Sequence, residues 1–248
     1  MTILYHHPMH AHSRRIRLLL NEFYFEYRLQ HHHFWQRSEN LLALNPAGNL
    51  PVLVTAEHAT ICGARPIAEF IYEIYLEMSE GEAKQTHKTI EEEQHEQAQN
   101  RSFINLFGED AYQRAEVRRL IDWFDDKFNP EVTDYIVGEK IYRRLAKMGE
   151  PDPKMLYAGG VNLKHHMDYL NHLLSTREWL AYDKMSLADL AAAAALSLLD
   201  YLGEINWKQY QLVKSWYANI KHRPSFRPIL QDRLPGMPPQ AEYGNLDF

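Results

Sequence analysis

Nine residues, Asn45-Pro-Ala-Gly-Asn-Leu-Pro51-Val-Leu53, constrain this chain more than any others. Turn formers precede Pro51 and two apolar residues follow it. Proline has no N–H to give to a ladder, so it opens a strand or sits on an edge. An X-Pro bond beside a turn is also where a cis peptide is expected, here Leu50-Pro51. In the cis form the Leu50 N–H and C=O would turn outward and could hold an extended, peptide-like ligand by strand addition.

The residues around this stretch alternate strand and helix. Thr2–Tyr5 reads as a strand ended by Pro8. From Ser13, taken as an N-cap, Ile16, Leu19, Leu20 and Phe23 recur at helical spacing. Phe25–Leu29 reads as a second strand, followed by His31-His-His33-Phe-Trp35 and a polar turn. Val52–Val54 and Thr60–Cys62 form a hairpin around Glu57-His58. Pro66 then fits the first turn of a helix that carries Ile67, Phe70, Ile71 and Ile74 on one face. This order predicts a thioredoxin-like α/β domain over residues 1–78.

A polar segment follows. Between Glu77 and Gln97 stand seven acidic residues against two lysines, which is most of the chain's net charge of −6. Such a stretch cannot bury much surface and reads as an acidic linker or insertion, residues 79–108. The rest is helical. Val117, Leu120, Ile121, Phe124 and Phe128 make one stripe, and Leu163, His166, Met167, Leu170, Leu173 and Leu174 another. Ser186-Leu-Ala-Asp189 is a capping box ahead of Leu190–Leu199, which is apolar all round and therefore central to a bundle. Trp216 and Tyr217 lie on a last helix ending near Pro224. The predicted architecture is α/β plus all-α, with a helical domain over 109–233 and an extended tail over 234–248.

Composition excludes several classes. No run of eighteen apolar residues suggests a membrane span, and no leader pattern opens the chain. A single cysteine, Cys62, rules out an internal disulfide and fits a cytoplasmic protein. The acidic balance argues against nucleic acid as the main partner. Fourteen histidines fall in no recognised zinc spacing. His31 and His33 alternate on one side of a strand, and His6, His10 and His12 lie near one another in sequence. With no carboxylate or cysteine ligand fixed nearby, no metal site is expected.

With Asn45–Leu53 in an α/β domain and Ser186–Asp189 in a helical one, the chain resembles a cytosolic glutathione transferase. The resemblance implies the glutathione transferase fold over nearly the whole chain. It implies a glutathione site whose equivalents here are Leu50, Pro51, Gly63 and Ala64. In this family a Ser, Cys or Tyr near the first helix holds the glutathione thiolate. The aligned residue here is His10, and Ser13 one turn on is the second candidate. Where the family grips the γ-glutamyl end with an acid and a Ser, this chain has Gly63-Ala64. Losing two charge-assisted hydrogen bonds of roughly 1.5–3 kcal/mol each weakens binding about a hundredfold or more. A degraded glutathione site is therefore expected.

Other features point to a partner. Arg14, Arg15 and Arg17 oppose the dipole of their own helix start and are read, with Arg37, as a face for a partner. Trp35 sits in a loop, as a lid or a contact. The tail cannot be helical, having Pro or Gly at four of its first six positions, yet carries Tyr243, Leu246, Asp247 and Phe248 as anchors, either for the chain's own body or for a partner. His6-His-Pro8 through Ser13-Arg-Arg-Ile-Arg17, Trp35, Ala115–Asp125, Ala188-Asp189, Asp200–Gly203, and Arg223–Pro228 through Asp247-Phe248 resemble the glutathione-transferase-like division proteins of alphaproteobacteria, the FzlA type. That resemblance implies a homodimer that binds FtsZ filaments in the cytoplasm at the division site and uses no cofactor. The alternative expectation is a glutathione S-transferase or peroxidase using His10 or Ser13.

Overall fold

The computed structural model describes residues 1–85 and 105–246, the side chains of 78–85 excepted. Four strands, β1 (Ile3–His6), β2 (Arg28–His31), β3 (Val52–Val54) and β4 (Thr60–Cys62), form one sheet in the order β2-β1-β3-β4. β1 and β2 run parallel, with β3 and β4 antiparallel to their neighbours. The parallel pair needs a crossover, supplied by α1 (Ala11–Glu22). A short helix, α2 (Glu39–Leu44), fills the loop before β3 and is capped by the Ser38 hydroxyl, which accepts from Leu41 N–H. α3 (Ala64–Gln85) follows the hairpin. This is the expected thioredoxin-like order.

Three expectations are corrected here. β2 lies at Arg28–His31, not Phe25–Leu29, because Phe25 is still tied to the end of α1 through its N–H to Leu20 C=O, 2.9 Å. α1 begins at Ala11 with His10 at the N-cap position, so Ser13 caps nothing; it is wholly buried inside the first turn. α3 runs to Gln85, past the expected boundary at 78. The acidic run beyond it lies outside the described residues. The far end of the expected linker does bury surface: Leu106 and Phe107 are core, and Leu106 C=O accepts from Leu187 N–H.

The helical domain begins with α4 (Ala111–Asp122), capped by Asp110. The same rod continues through Trp123–Thr133 and Gly138–Tyr142 as wider, π-wound helix. Pro130 lies inside it, lacking the N–H that a regular turn would use. α5 (Pro153–Leu174) packs on this rod. Gly159 allows the approach, since a Cβ there would stand 2.8 Å from Tyr135 Cβ and from Ile136 Cγ1. α6 (Leu187–Leu202) is buried along nearly its whole length, and its alanine run Ala191–Ala195 lets neighbours come close. Asp189 closes the capping box by accepting from Ser186 N–H and Oγ–H, both at 2.8 Å. The same carboxylate also takes Leu180 N–H and Trp216 Nε1–H, so one buried acid ties two further segments to the start of α6. α7 (Gln211–Lys221) and α8 (Arg227–Leu230) complete the bundle.

The two domains meet along α1 and α6. Leu4, Ile16, Leu18 and Leu19 of the first domain belong to one continuous apolar cluster with Leu190–Leu199 of the second. The tail lies on this joint. Tyr243, on a single 3₁₀ turn at Ala241–Gly244, is fully buried. Of the two roles expected for Tyr243, docking onto the chain's own body is the one observed.

Candidate functional site

Strand directions bring the candidate residues together. β1 ends at His6, and the antiparallel register Tyr5↔Val52 sets that end beside the start of β3 and so beside Leu50-Pro51. Val52↔Cys62 sets the end of β4, and therefore Gly63-Ala64, at the same place. His6↔His31 adds the end of β2 and the residues that follow it. Thus His7–His10, His31–Trp35, Leu50-Pro51 and Gly63-Ala64 share one end of the sheet. Leu50-Pro51 is a cis peptide, as expected. Pro51 C=O accepts from Gly63 N–H at 2.9 Å, linking the two halves of the would-be glutathione site.

The chemistry there is weak for thiol activation. His10 packs on Phe34 and His12, with ring centroids 5.1 and 5.2 Å apart. Burial, with His12, His7 and Arg15 adding to it, holds its imidazole far below the ordinary value and hence neutral at pH 7. Its Nδ1 lies 3.1 Å from Ser13 Oγ, and that oxygen also receives His7 N–H at 3.4 Å. Ser13 is therefore sealed beneath His10. Cys62 is half-buried, gives its thiol to Leu44 C=O, and burial pushes the thiol up, away from the reactive thiolate. Gly63 and Ala64 offer no side-chain carboxylate or hydroxyl, and Gly63 sits at φ +90°, where a side chain is strained.

The arginine face is overturned. Arg14, Arg15 and Arg17 are at most 2% exposed. Arg14 donates to Pro8 C=O (2.7 Å), Ser197 Oγ (2.7 Å) and Tyr243 Oη (3.3 Å), and pairs with Asp232 at 3.5 Å. Arg15 makes a two-pronged pair with Asp125, and Arg17 pairs with Asp232 and reaches Pro228 C=O. Cations that oppose their own helix start are here neutralised by the second domain. Arg37 alone of the four stays exposed. Trp35 is half-buried, on His7, His33 and Tyr142. Leu246 is half-buried, while Asp247 and Phe248 lie outside the described residues.

Two contributors escaped the sequence reading. Tyr142, from the π-wound rod, gives its hydroxyl to Met9 C=O at 2.5 Å and faces Phe34 edge-on at 5.0 Å. Asp125 gathers Arg15, His12 and Arg65. The Ala115–Asp125 segment carried that residue without showing whom it would meet. A separate cavity of 660 Å³, lined by Lys140, Arg144, Tyr201, Met237 and Pro238 among others, lies where the tail crosses the rod.

Models of the glutathione S-transferase N-terminal and C-terminal domains match residues 11–74 and 160–233. The chain is 41% identical to "FtsZ-localized protein A" of Caulobacter vibrioides, across 99% of this chain and 97% of that protein. The chain belongs to the glutathione S-transferase family. Among solved structures, FzlA from C. crescentus superposes with a TM-score of 0.86 at 40% identity, covering 100% of this chain and 99% of that one. A glutathione S-transferase from Sinorhizobium meliloti gives 0.85 at 41%, covering all of both chains. The chain has the Leu50-Pro51 cis peptide and the Ser186–Asp189 capping box, and Gly63-Ala64 where the resemblance implies an acid and a Ser. Among the described residues no helix is long and apolar enough to cross a membrane.

Proposed function

We propose that the protein is a non-catalytic adaptor that binds FtsZ filaments and supports bacterial cell division, acting as a cytoplasmic homodimer at the division site. Its full-length likeness to a protein named for its localisation with FtsZ carries the reading. The site chemistry supports it: a neutral His10, a sealed Ser13, and a γ-glutamyl end with no side chain to grip. No glutathione is needed for this role.

The contact surface on this reading comprises Trp35, Arg37 and the end of the tail, Leu246 to Phe248. Arg14, Arg15, Arg17 and Tyr243 support that surface from beneath. FtsZ co-sedimentation tests the proposal. The full-length chain, a chain stopped after Gly244 and a Trp35→Ala variant are mixed with GTP-assembled FtsZ from the same organism. Full-length protein pellets with the filaments, and both variants pellet less. If the full-length chain stays in the supernatant, while glutathione raises its melting temperature and His10→Ala removes a conjugating activity, the protein is a transferase instead.

A further inference from the structure

We infer that His7, His31 and His33 form a binding site for one divalent transition-metal cation of the zinc class, which fastens the Phe34-Trp35 turn to the sheet. The parallel pairing of β1 and β2 brings the three rings together. His7 follows the end of β1, His31 ends β2, and His33 lies two residues on. Ring centroids are 5.0 Å apart for His7 and His31, 5.6 Å for His7 and His33, and 4.7 Å for His31 and His33. One ring nitrogen from each lies within 4.8 Å of the others. Zinc–imidazole bonds of about 2.0–2.1 Å in tetrahedral geometry set such nitrogens roughly 3.4 Å apart. His31 is exposed and His33 half-buried, so both can turn onto the buried His7 to close that gap.

A second observation stands apart from the clustering. His7 Nε2 and His33 Nδ1 are buried ring nitrogens without a hydrogen-bond partner. Buried polar atoms are almost always satisfied, and an orphan marks a strained or a ligand-binding site. Here two orphans fall in one group of three rings. The charged groups facing the cluster are Arg14, which acts on His7, and Asp232, which acts on His31 in the sense favourable to a cation.

The donor set selects the ion. Three imidazoles without a carboxylate favour zinc, copper or nickel over calcium or magnesium. His31 leaves the fourth position open to water. Ligation through His7 Nε2 moves the ring proton to Nδ1. That exchanges the 3.2 Å bond from Met9 N–H, at the long end of the normal range, for the metal bond. The result joins β1 to the segment carrying Trp35, whose ring already touches His7 and His33.

The test is calorimetric titration of the tag-free, full-length chain with ZnCl2 in a non-chelating buffer, paired with melting curves. One zinc binds per chain and raises the melting temperature. In the His31→Ala, His33→Ala double variant both effects are lost, while the metal-free melting temperature stays near wild type because neither side chain is core. His32→Ala, whose ring lies against Tyr5, retains both effects. One-to-one binding that survives in the double variant, or no saturable binding by the wild-type chain, overturns the site.

Discussion

Arg14 Nη1 donates to the Tyr243 hydroxyl at 3.3 Å, across 229 positions of sequence and at full burial of both side chains. That hydroxyl in turn donates to Ile229 C=O. The first helix of the α/β domain, the end of the helical domain and the tail thus meet at one buried guanidinium. Pro8 C=O, Met9 Sδ, Ser197 and Asp232 are its other partners. The tail is part of the domain joint up to Tyr243 and is free to serve another purpose only beyond Gly244.

Truncation separates these two parts. A chain stopped after Arg233 loses Tyr243 and the Tyr201–Met237 hydrogen bond, opening the core above α6. Tyr243→Ala alone removes a fully buried aromatic ring, at a cost of about 3–5 kcal/mol. Both changes lower the melting temperature markedly, whereas a stop after Gly244 leaves it close to wild type. Thermal unfolding followed by circular dichroism checks all three.

Asp125→Ala leaves the Arg15 guanidinium buried without its carboxylate. Breaking a buried pair in this way costs about 3–5 kcal/mol. Burial works against ionisation of Asp125, but Arg15 and His12 outweigh it and hold the carboxyl well below the usual carboxylate range. Asp125 therefore contributes stability that is full above about pH 4 and is lost as the pH falls further. Urea denaturation of the variant at pH 7 shows the deficit. The deficit narrows as the pH falls below 4 but does not vanish at pH 3, where the folded-state carboxyl is still ionised.

Acid destabilisation starts earlier than carboxylates alone would give. Burial drives His6 and His7 from 6.5 down to about 3. Between those values the unfolded chain binds protons that the folded chain refuses, so stability rises with pH through the window and is complete above 6.5. Each such group contributes at most about 1.4 kcal/mol per pH unit. Unfolding free energies measured from pH 8 to pH 4 should fall steadily below pH 6.5, and His6→Gln should make that slope shallower. A flat profile down to pH 5 would contradict the neutral, buried state of these rings.

The resemblance to glutathione transferases implies a ligand carboxylate beside Ala64, and a substitution there tests it. Ala64→Ser adds a hydroxyl at the start of α3 for the ligand carboxylate, raising affinity by about 0.5–1.5 kcal/mol, severalfold in Kd. Gly63→Glu differs. Its new Cβ would meet only Pro66 Cδ, at 3.6 Å, but the backbone φ of +90° disfavours any side chain. The strain costs about 1–2 kcal/mol, so the melting temperature falls whether or not glutathione binds better. Calorimetric titration with glutathione and melting curves separate the two effects.

Local patterns were legible because they depend on neighbours in sequence. The Leu50-Pro51 turn, the Val52–Cys62 hairpin, the Ser186–Asp189 capping box and the stripes of α4, α5 and α6 are set by residues at most a few turns apart. The start of α1 was misread because serine at a helix start resembles an N-cap; only burial reveals that Ser13 lies inside the first turn, beneath His10. The histidine cluster was missed for a related reason. His31 and His33 share a strand side, but their third ring comes from β1, and strand pairing alone brings it there.

By itself the sequence determined the two-domain architecture, the glycine and alanine at 63 and 64, and the resemblance to an FtsZ-localized protein, since all of these reside in residue identity and short-range period. The tertiary structure decided the fate of the charges and the tail. Arg14, Arg15 and Arg17 read as a surface patch because a helix pattern records which residues share a face, not what that face meets. Their partners Asp125, Ser197, Asp232 and Tyr243 arrive from more than a hundred positions away. A buried guanidinium is tolerated only where such acceptors converge, and convergence is a property of the folded chain.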